Sequence, residues 1–337
     1  MSHNRIRLPK SRFGRTLLSL AVTAAVGFGY FYVTLPALNP HAGEFYSFLG
    51  LLCAVYVVCV FLLSGAPHDN VIRTPKEKLR EWLKFIKSRC LPVGLLFVAV
   101  VVIAAVGNVV SMPLLRAAAY RDLLTVQTGD FASDVAQISF NEIPTLDRTS
   151  AEFLGDRQMG TLSDMVSQFE YSGDSTQINY QGRPVRVAPI AYADLFKWLT
   201  NRGQGLPAYV VVDMVTQEAT VTRLPQGMKY SFSEPLNRNI VRHLRFHYPT
   251  MMFSTPEFEI DENGHPWWIA PRIIKTIGLF GGTDIKGAVL CNAITGESQY
   301  YEDVPSWVDR VYNSDLIMQQ YDYYGSYHNG FWNSIFG

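Results

Sequence analysis

Leu91-Pro-Val-Gly-Leu-Leu-Phe-Val-Ala-Val-Val-Val-Ile-Ala-Ala-Val-Gly-Asn-Val-Val110 carries no charged side chain. As a helix, a run of this kind crosses the hydrocarbon layer of a bilayer, which takes about 20 residues. Asn108 is its only strongly polar residue and lies near one end. Two upstream runs, Leu17–Leu35 and Phe45–Leu63, read the same way. Buried helices of a large soluble core are the competing reading, and three uncharged runs flanked by basic clusters speak against it. The pattern predicts transmembrane helices at about 17–35, 45–63 and 91–110, within a membrane domain of residues 1–112.

Charge is distributed to match. The 337-residue chain has no net charge and only 17% charged residues, against about 25% in a typical soluble protein. Residues 1–90 hold twelve Lys/Arg and four Asp/Glu, whereas residues 113–337 hold seventeen and twenty-five. A basic first third beside an acidic remainder suits an anchor with an exported domain, and it argues against nucleic acid as a partner. Arg5, Arg7, Lys10, Arg12 and Arg15 precede the first run. Arg73, Lys76, Lys78, Arg80, Lys84, Lys87 and Arg89 lie between the second and third, while Asn39–Glu44 has no Lys or Arg. By the positive-inside rule the N-terminus and the loop 65–90 are cytoplasmic, and everything after about Met112 faces outward. A cleaved signal peptide is the alternative for the first run, but no small-residue cleavage site follows it, and no adjacent arginines mark twin-arginine export.

Thr74-Pro75-Lys76-Glu77 in the cytoplasmic loop reads as a capping box with Pro at the first helical position. Leu79, Trp82, Leu83 and Ile86 then form an apolar stripe flanked by Arg80, Lys84 and Lys87. A helix of that kind suits the surface of an anionic leaflet, or a partner's groove. Cys53 and Cys59 fall in the second run and Cys90 at the edge of the third, leaving Cys291 alone in the outer domain, where no intradomain disulfide can form. Cys291 lies in the apolar stretch Gly287–Asn292 and reads as a small core hydrophobe rather than a nucleophile.

The outer domain repeats itself. Gln181-Gly-Arg-Pro-Val-Arg-Val-Ala-Pro189 aligns with Asn263-Gly-His-Pro-Trp-Trp-Ile-Ala-Pro271. Tyr209–Glu218 aligns with Ala288–Glu297, and Asp156-Arg157 with Asn237-Arg238. Each unit, 154–234 and 235–303, is expected to open with a helix (about 157–170 and 236–247), followed by a strand, a Gly turn, a strand ending in Ala-Pro and a closing hairpin. Tyr192–Asn201 adds an amphipathic helix in the first unit, where the second has Lys275–Gly282. Residues 113–153 are a connecting segment, and 304–337 an aromatic-rich, loop-like end.

Helix followed by antiparallel strands with a Thr-Gly-Glu hairpin resembles the PepSY module of bacterial envelope proteins, most of all over Ala288–Tyr301. A broader resemblance covers nearly the whole chain. Leu154–Gly160, Tyr180–Pro189, Arg242–Pro249 and Pro305–Asp309 are similar to a family of uncharacterised Gram-positive multi-span membrane proteins, whose members are often labelled colicin V production-like or Tat-signal proteins. The resemblance implies a membrane-anchored envelope protein, supplies no catalytic residues, and implies a chain that continues past Gly337. The expected class is thus membrane-anchored α+β: three transmembrane helices and an extracytoplasmic domain of two PepSY-like helix-plus-antiparallel-sheet repeats.

Chemistry-bearing patterns are few. His243 and His247, at i and i+4, would share a helix face and could join Glu257 or Asp261 as metal ligands, but Leu244 stands where the zincin motif needs Glu. Leu154-Gly-Asp-Arg157 reads as a helix cap. Gly278-Leu-Phe-Gly-Gly282 lacks the Lys and Ser/Thr of a phosphate loop, and Asp261-Glu-Asn-Gly264 lacks the twelfth-position Glu of a calcium loop. No motif singles out a nucleophilic serine. No metal or cofactor is therefore expected.

What remains is aromatic density near the C-terminus. Trp267, Trp268, Trp307, Tyr323 and Tyr324 are candidate partner-binding residues, because exposed aromatics anchor interfaces and stack on sugars. The expectation is a multi-pass envelope protein that contacts membrane lipid and binds an envelope protein, peptide or cell-wall polymer, without a defined catalytic activity. An envelope hydrolase with a site assembled from distant residues is the alternative. A transporter is disfavoured, since no intramembrane charge offers an ion path.

Overall fold

The structure is a computed structural model that describes residues 12–63, 76, 80, 83–84, 86–135, 137–139 and 142–336. It divides into two compact units: residues up to Leu115 with Gly278–Gly281, and Arg116–Ile277 with Gly282 onward.

In the first unit, α1 (Arg12–Thr34), α2 (Gly43–Leu63) and α3 (Leu91–Val110) are each long and apolar enough to cross a membrane. Only 11% of each span's apolar window is buried, so their Leu, Val and Ile side chains face outward, as lipid-exposed helices require. A π-helical turn, Ile86–Cys90, leads into α3. Of the expected loop helix, Thr74, Pro75, Glu77, Leu79 and Trp82 lie outside the described residues. Between α1 and α2, Glu44 Oε1 accepts from the Ala37 amide at 2.6 Å, which closes the short turn. At the end of α3, Ser111 Oγ accepts from the amides of Leu279 and Phe280 at 2.9 and 3.0 Å. Gly107 allows this close approach, because a Cβ there would stand 2.5 Å from Leu279. The helix α4 (Pro113–Arg121) has non-helical backbone at Arg116, where the two units divide.

The second unit begins with α5 (Phe131–Asp134) and α6 (Arg148–Gly160). The helix expected at 157–170 is instead α6, capped by Asp147, whose carboxylate accepts from the Ser150 amide at 2.7 Å. Asp156 and Arg157 stand in its last turn rather than opening it. Strands β1 (Phe169–Tyr171), β2 (Thr176–Tyr180) and β3 (Arg183–Tyr192) follow, then α7 (Leu195–Asn201), β4 (Leu206–Asp213) and β5 (Ala219–Met228). After α8 (Ile240–His247) come β6 (Met252–Phe253), β7 (Glu257–Ile260), β8 (Pro266–Ile277), β9 (Gly281–Asn292) and β10 (Ser298–Tyr301). The stretch expected to be loop-like holds α9 (Ser314–Ser326) and α10 (Asn333–Phe336). Asn313 caps α9, its side chain accepting from the Asp315 amide at 2.8 Å.

The strands form two five-stranded sheets with one strand order. The first runs β1-β3-β4-β5 with β2 also on β3; the second runs β6-β8-β9-β10 with β7 also on β8. Their registers coincide too. Tyr171 opposes Ile190 as Phe253 opposes Arg272, Ile178 opposes Val185 as Glu259 opposes Trp267, and Val212 opposes Ala219 as Cys291 opposes Ser298. The closing turns match atom for atom. Asp213 Oδ1 accepts from the Val215 and Thr216 amides, and Asn292 Oδ1 from those of Ile294 and Thr295. The two units also touch at corresponding positions, where Thr176 Oγ1 donates to Glu257 Oε2 at 3.1 Å, and beside their Gly turns, where Gln181 Nε2 donates to the Glu262 carbonyl at 3.2 Å.

One core serves both sheets, holding Ile178, Val187, Val210, Phe258, Trp268 and Val289. A smaller cluster forms where Trp307, Val308 and Val311 cover Trp267, Ile269 and Leu290.

Candidate functional site

The sequence-predicted aromatics separate in the fold. Trp268 is fully buried, its ring wedged between Phe232 and Phe258 and its Nε1 donating to the Tyr230 carbonyl at 2.8 Å. It offers no surface, which corrects the expectation that it is exposed: the strand alternation that put Trp267 outward put Trp268 inward. Trp267 is half-buried against Trp307, with ring centroids 5.9 Å apart. Tyr323 lies 4.9 Å from Tyr120 and 5.8 Å from Tyr327, and Tyr324 rests on His328.

His243 and His247 do stack on one face of α8, 4.2 Å apart. Their nitrogens are engaged locally, His243 Nε2 with the Gly296 carbonyl at 2.7 Å and His247 Nδ1 with the His243 carbonyl at 2.8 Å. Asp261 instead pairs with His265 and caps its own turn. Among the described residues no group of three or more His, Cys, Asp or Glu is placed to hold a metal ion. Cys291 is fully buried, and burial pushes its thiol up to about 12.

The most polar constellation is one that motif reading missed. A cavity of about 280 Å³ is lined by Arg148 at the start of α6, Ser175 before β2, Arg186 on β3, Glu257 on β7, Arg310 beyond β10, and the capped N-terminus of α9. Each arginine is held differently. Arg148 pairs with Glu152 at 2.8 Å and donates to the Gly173 carbonyl. Arg186 is only 7% exposed, and its Nη1 reaches the Ser175 carbonyl and Oγ at 3.3 Å. Ser175 Oγ in turn donates to Glu152 at 2.9 Å. The backbone at Arg310 is anchored by the fully buried Glu259, which accepts from the Asp309 and Arg310 amides at 3.0 and 2.8 Å. Arg310 also lines a neighbouring cavity of about 560 Å³ with Gln177, Asn179 and Arg183.

Two donors stand out: Nε of Arg186 and Nε of Arg310 are buried without a hydrogen-bond partner among the described residues. Among the described residues neither guanidinium forms an ion pair. Burial, then Arg148 and more weakly Arg310, push Arg186 below its ordinary pKa, against the pull of Tyr171 and Glu152. Burial raises Glu152, but hydrogen bonds from Arg148 and Ser175 outweigh it and hold the carboxyl low. The lining thus gathers three guanidiniums and several hydroxyls beside the carboxylates of Glu257 and Asp315.

Comparison with known protein families, curated proteins and solved structures finds no match.

One signal for the cavity was present in the aligned repeat. Arg186 occupies the register position of Trp268, opposite Gln177 as Trp268 is opposite Phe258. A basic residue thus stands in the first unit where the second has a core aromatic.

Proposed function

We propose that the chain is a membrane-tethered, extracytoplasmic binding protein of the cell envelope, which holds its ligand through the arginine-lined cavity. The observation that carries this reading is Arg186: nearly buried, charged and left with an unsatisfied Nε. A buried donor without a partner costs about 1–3 kcal/mol, more when charged, and a fold that keeps such a guanidinium beside a cavity keeps it at a cost to stability. Three apolar helices ahead of a sheet domain support the tether. The basic clusters at 5–15 and 73–89 support a cytoplasmic N-terminus and an outward-facing acidic domain. Shared strand order and register support an internal duplication of a PepSY-like unit, and the motif resemblance supports kinship with the Gram-positive family. Half-buried Trp267, Trp307, Tyr323 and Tyr324 supply aromatic surface for an envelope protein, peptide or cell-wall polymer.

Two measurements test this. In a background lacking the four native cysteines, an impermeant thiol reagent on intact cells should label Ser167→Cys and not Lys84→Cys; the opposite pattern overturns the topology. Crosslinking of the full chain in envelope membranes should capture a partner, and Arg310→Gln and Trp267→Ala should each weaken capture. No capture, together with cleavage of peptidoglycan or peptides by the purified chain, would favour the hydrolase.

A further inference from the structure

The cavity's donors are brought together from separate elements. Arg148 comes from a helix start, Arg186 from a central strand and Arg310 from a segment crossing between the sheets, while Ser175, Ser254 and Ser314 add hydroxyls. A planar carboxylate offers about four acceptor sites near one plane, two of which a single guanidinium fork fills. Three guanidiniums and several hydroxyls from separate elements offer more donors than one carboxylate takes up, and suit an acceptor with more oxygens, such as a tetrahedral one.

Charge narrows the class further. Arg148 is matched by Glu152 at 2.8 Å. Glu257 and Asp315 also line the cavity, but Glu257 accepts from Thr176, and neither carboxylate pairs with Arg186 or Arg310. Among the described residues Arg186 and Arg310 thus form no ion pair, while the carboxylates of Glu257 and Asp315 in the same lining offset their charge at longer range. The N-terminus of the 13-residue helix α9 opens on the same space and adds the positive end of its dipole. With about 280 Å³ the space holds a small anion together with waters or a further part of its ligand.

We propose that this cavity binds a phosphate group, seated among Arg148, Arg186 and Arg310 at the N-terminus of α9. The inference rests on the binding reading above and names its ligand class. Free phosphate and the headgroup of an anionic phospholipid share this chemistry, and the test separates them.

The full chain, purified in detergent and then in phosphatidylcholine nanodiscs, is titrated with inorganic phosphate at constant ionic strength by calorimetry. Saturable one-to-one binding is expected, weakened at least tenfold by Arg310→Gln and by Arg186→Gln. Arg148→Gln, at an exposed position, serves if Arg186→Gln does not fold. If phosphatidic acid in the nanodiscs abolishes phosphate binding, the headgroup is the natural source; undiminished binding there makes it a soluble phosphate. Absent or unsaturable binding, or binding that none of the variants changes, overturns the proposal. So does acetate binding as tightly as phosphate, because the site is then a carboxylate site. Partner capture that Arg310→Gln abolishes, with no phosphate binding, would overturn the ligand class alone and leave the binding reading standing.

Discussion

Gln177 faces Arg186 across β2 and β3, and Phe258 faces Trp268 across β7 and β8. The two pairs sit in one strand order and at corresponding registers, yet one is polar and edges two cavities while the other is aromatic and fills the core. The same backbone thus serves two ends, and side-chain polarity at a single pair of positions decides which. The reverse trade occurs one residue on. Ile178 is buried and apolar in the first sheet, whereas its counterpart Glu259 is a fully buried carboxylate that fastens the segment carrying Arg310. One sheet contributes a site residue, and the other contributes the anchor that brings its companion.

The sharpest way to break this comparison is to truncate both pairs. Phe258→Ala or Trp268→Ala removes a fully buried ring and should cost about 3–5 kcal/mol in chemical denaturation of the full chain. Gln177→Ala, at the half-buried counterpart of Phe258, should cost under about 1 kcal/mol. Equal losses would mean that the first pair is also core.

Glu259 gives the next effect. Burial pushes its carboxyl up to about 7 from an ordinary 4.5; the amides of Asp309 and Arg310 pull it down, Asp309's charge adds to the rise and Arg310's opposes it. Because the folded value is raised, the folded state holds the proton more tightly than the unfolded one. The contribution is full below about pH 4.5 and fades as pH climbs to about 7. Glu259→Gln cannot titrate, so the variant should gain on wild type by about 3 kcal/mol between pH 4 and pH 8. A gap that does not change with pH would place the carboxylate in contact with water.

Much of this fold was legible. Apolar runs of bilayer length and the paired Gly-x-Pro strands need only local pattern, and each appears within a few residues of its expected place. The start of α6 was misplaced because Asp147, the true cap, lies nine residues before the Asp156 that looked like one. Lys275–Gly282 was expected as a connection, whereas β8 runs on to Ile277 and β9 begins at Gly281. The cavity was hidden for a different reason. An arginine in an alternating strand reads as solvent-facing until a segment more than a hundred residues away, Asp309–Tyr312, is known to close over it. Trp268 was misread because aromatic density alone does not say which face of a strand is covered.

The closing turns sharpen the comparison at lower cost. Gln217 and Gly296 occupy corresponding left-handed positions, with φ of 62° and 78°. Gly296→Gln should destabilise by about 2 kcal/mol or more, since its Cβ would stand 2.2 Å from the Tyr230 ring in addition to the backbone strain. Gln217→Gly relieves the strain of a non-glycine residue there but raises the entropy of the unfolded chain, so the two effects oppose and stability should change by less than about 1 kcal/mol in thermal denaturation.

The smallest effect separates the turns by charge alone. Asp213 and Asn292 accept the same two turn amides, but only Asp213 meets a guanidinium, that of Arg183 at 2.6 Å. The residue at Arg183's position in the second sheet is His265, which turns to Asp261 instead. Asp213→Asn should therefore keep the turn and lose only the ion pair, about 0.5–1 kcal/mol for a pair with one exposed partner. Burial raises the Asp213 carboxyl, but the Thr216 and Val215 amides and Arg183 outweigh it and hold it below 3.8. A depressed pKa stabilises above the unfolded value and is lost as pH falls through the folded one, so the gap between variant and wild type should be full at pH 7 and close below about pH 4. Raising salt to 1 M should also shrink it, because exposed charges are screened within about 3 Å there. A loss that persists through both changes would show that Asn cannot replace Asp in this turn, and that the two hairpins, alike in register, differ in more than charge.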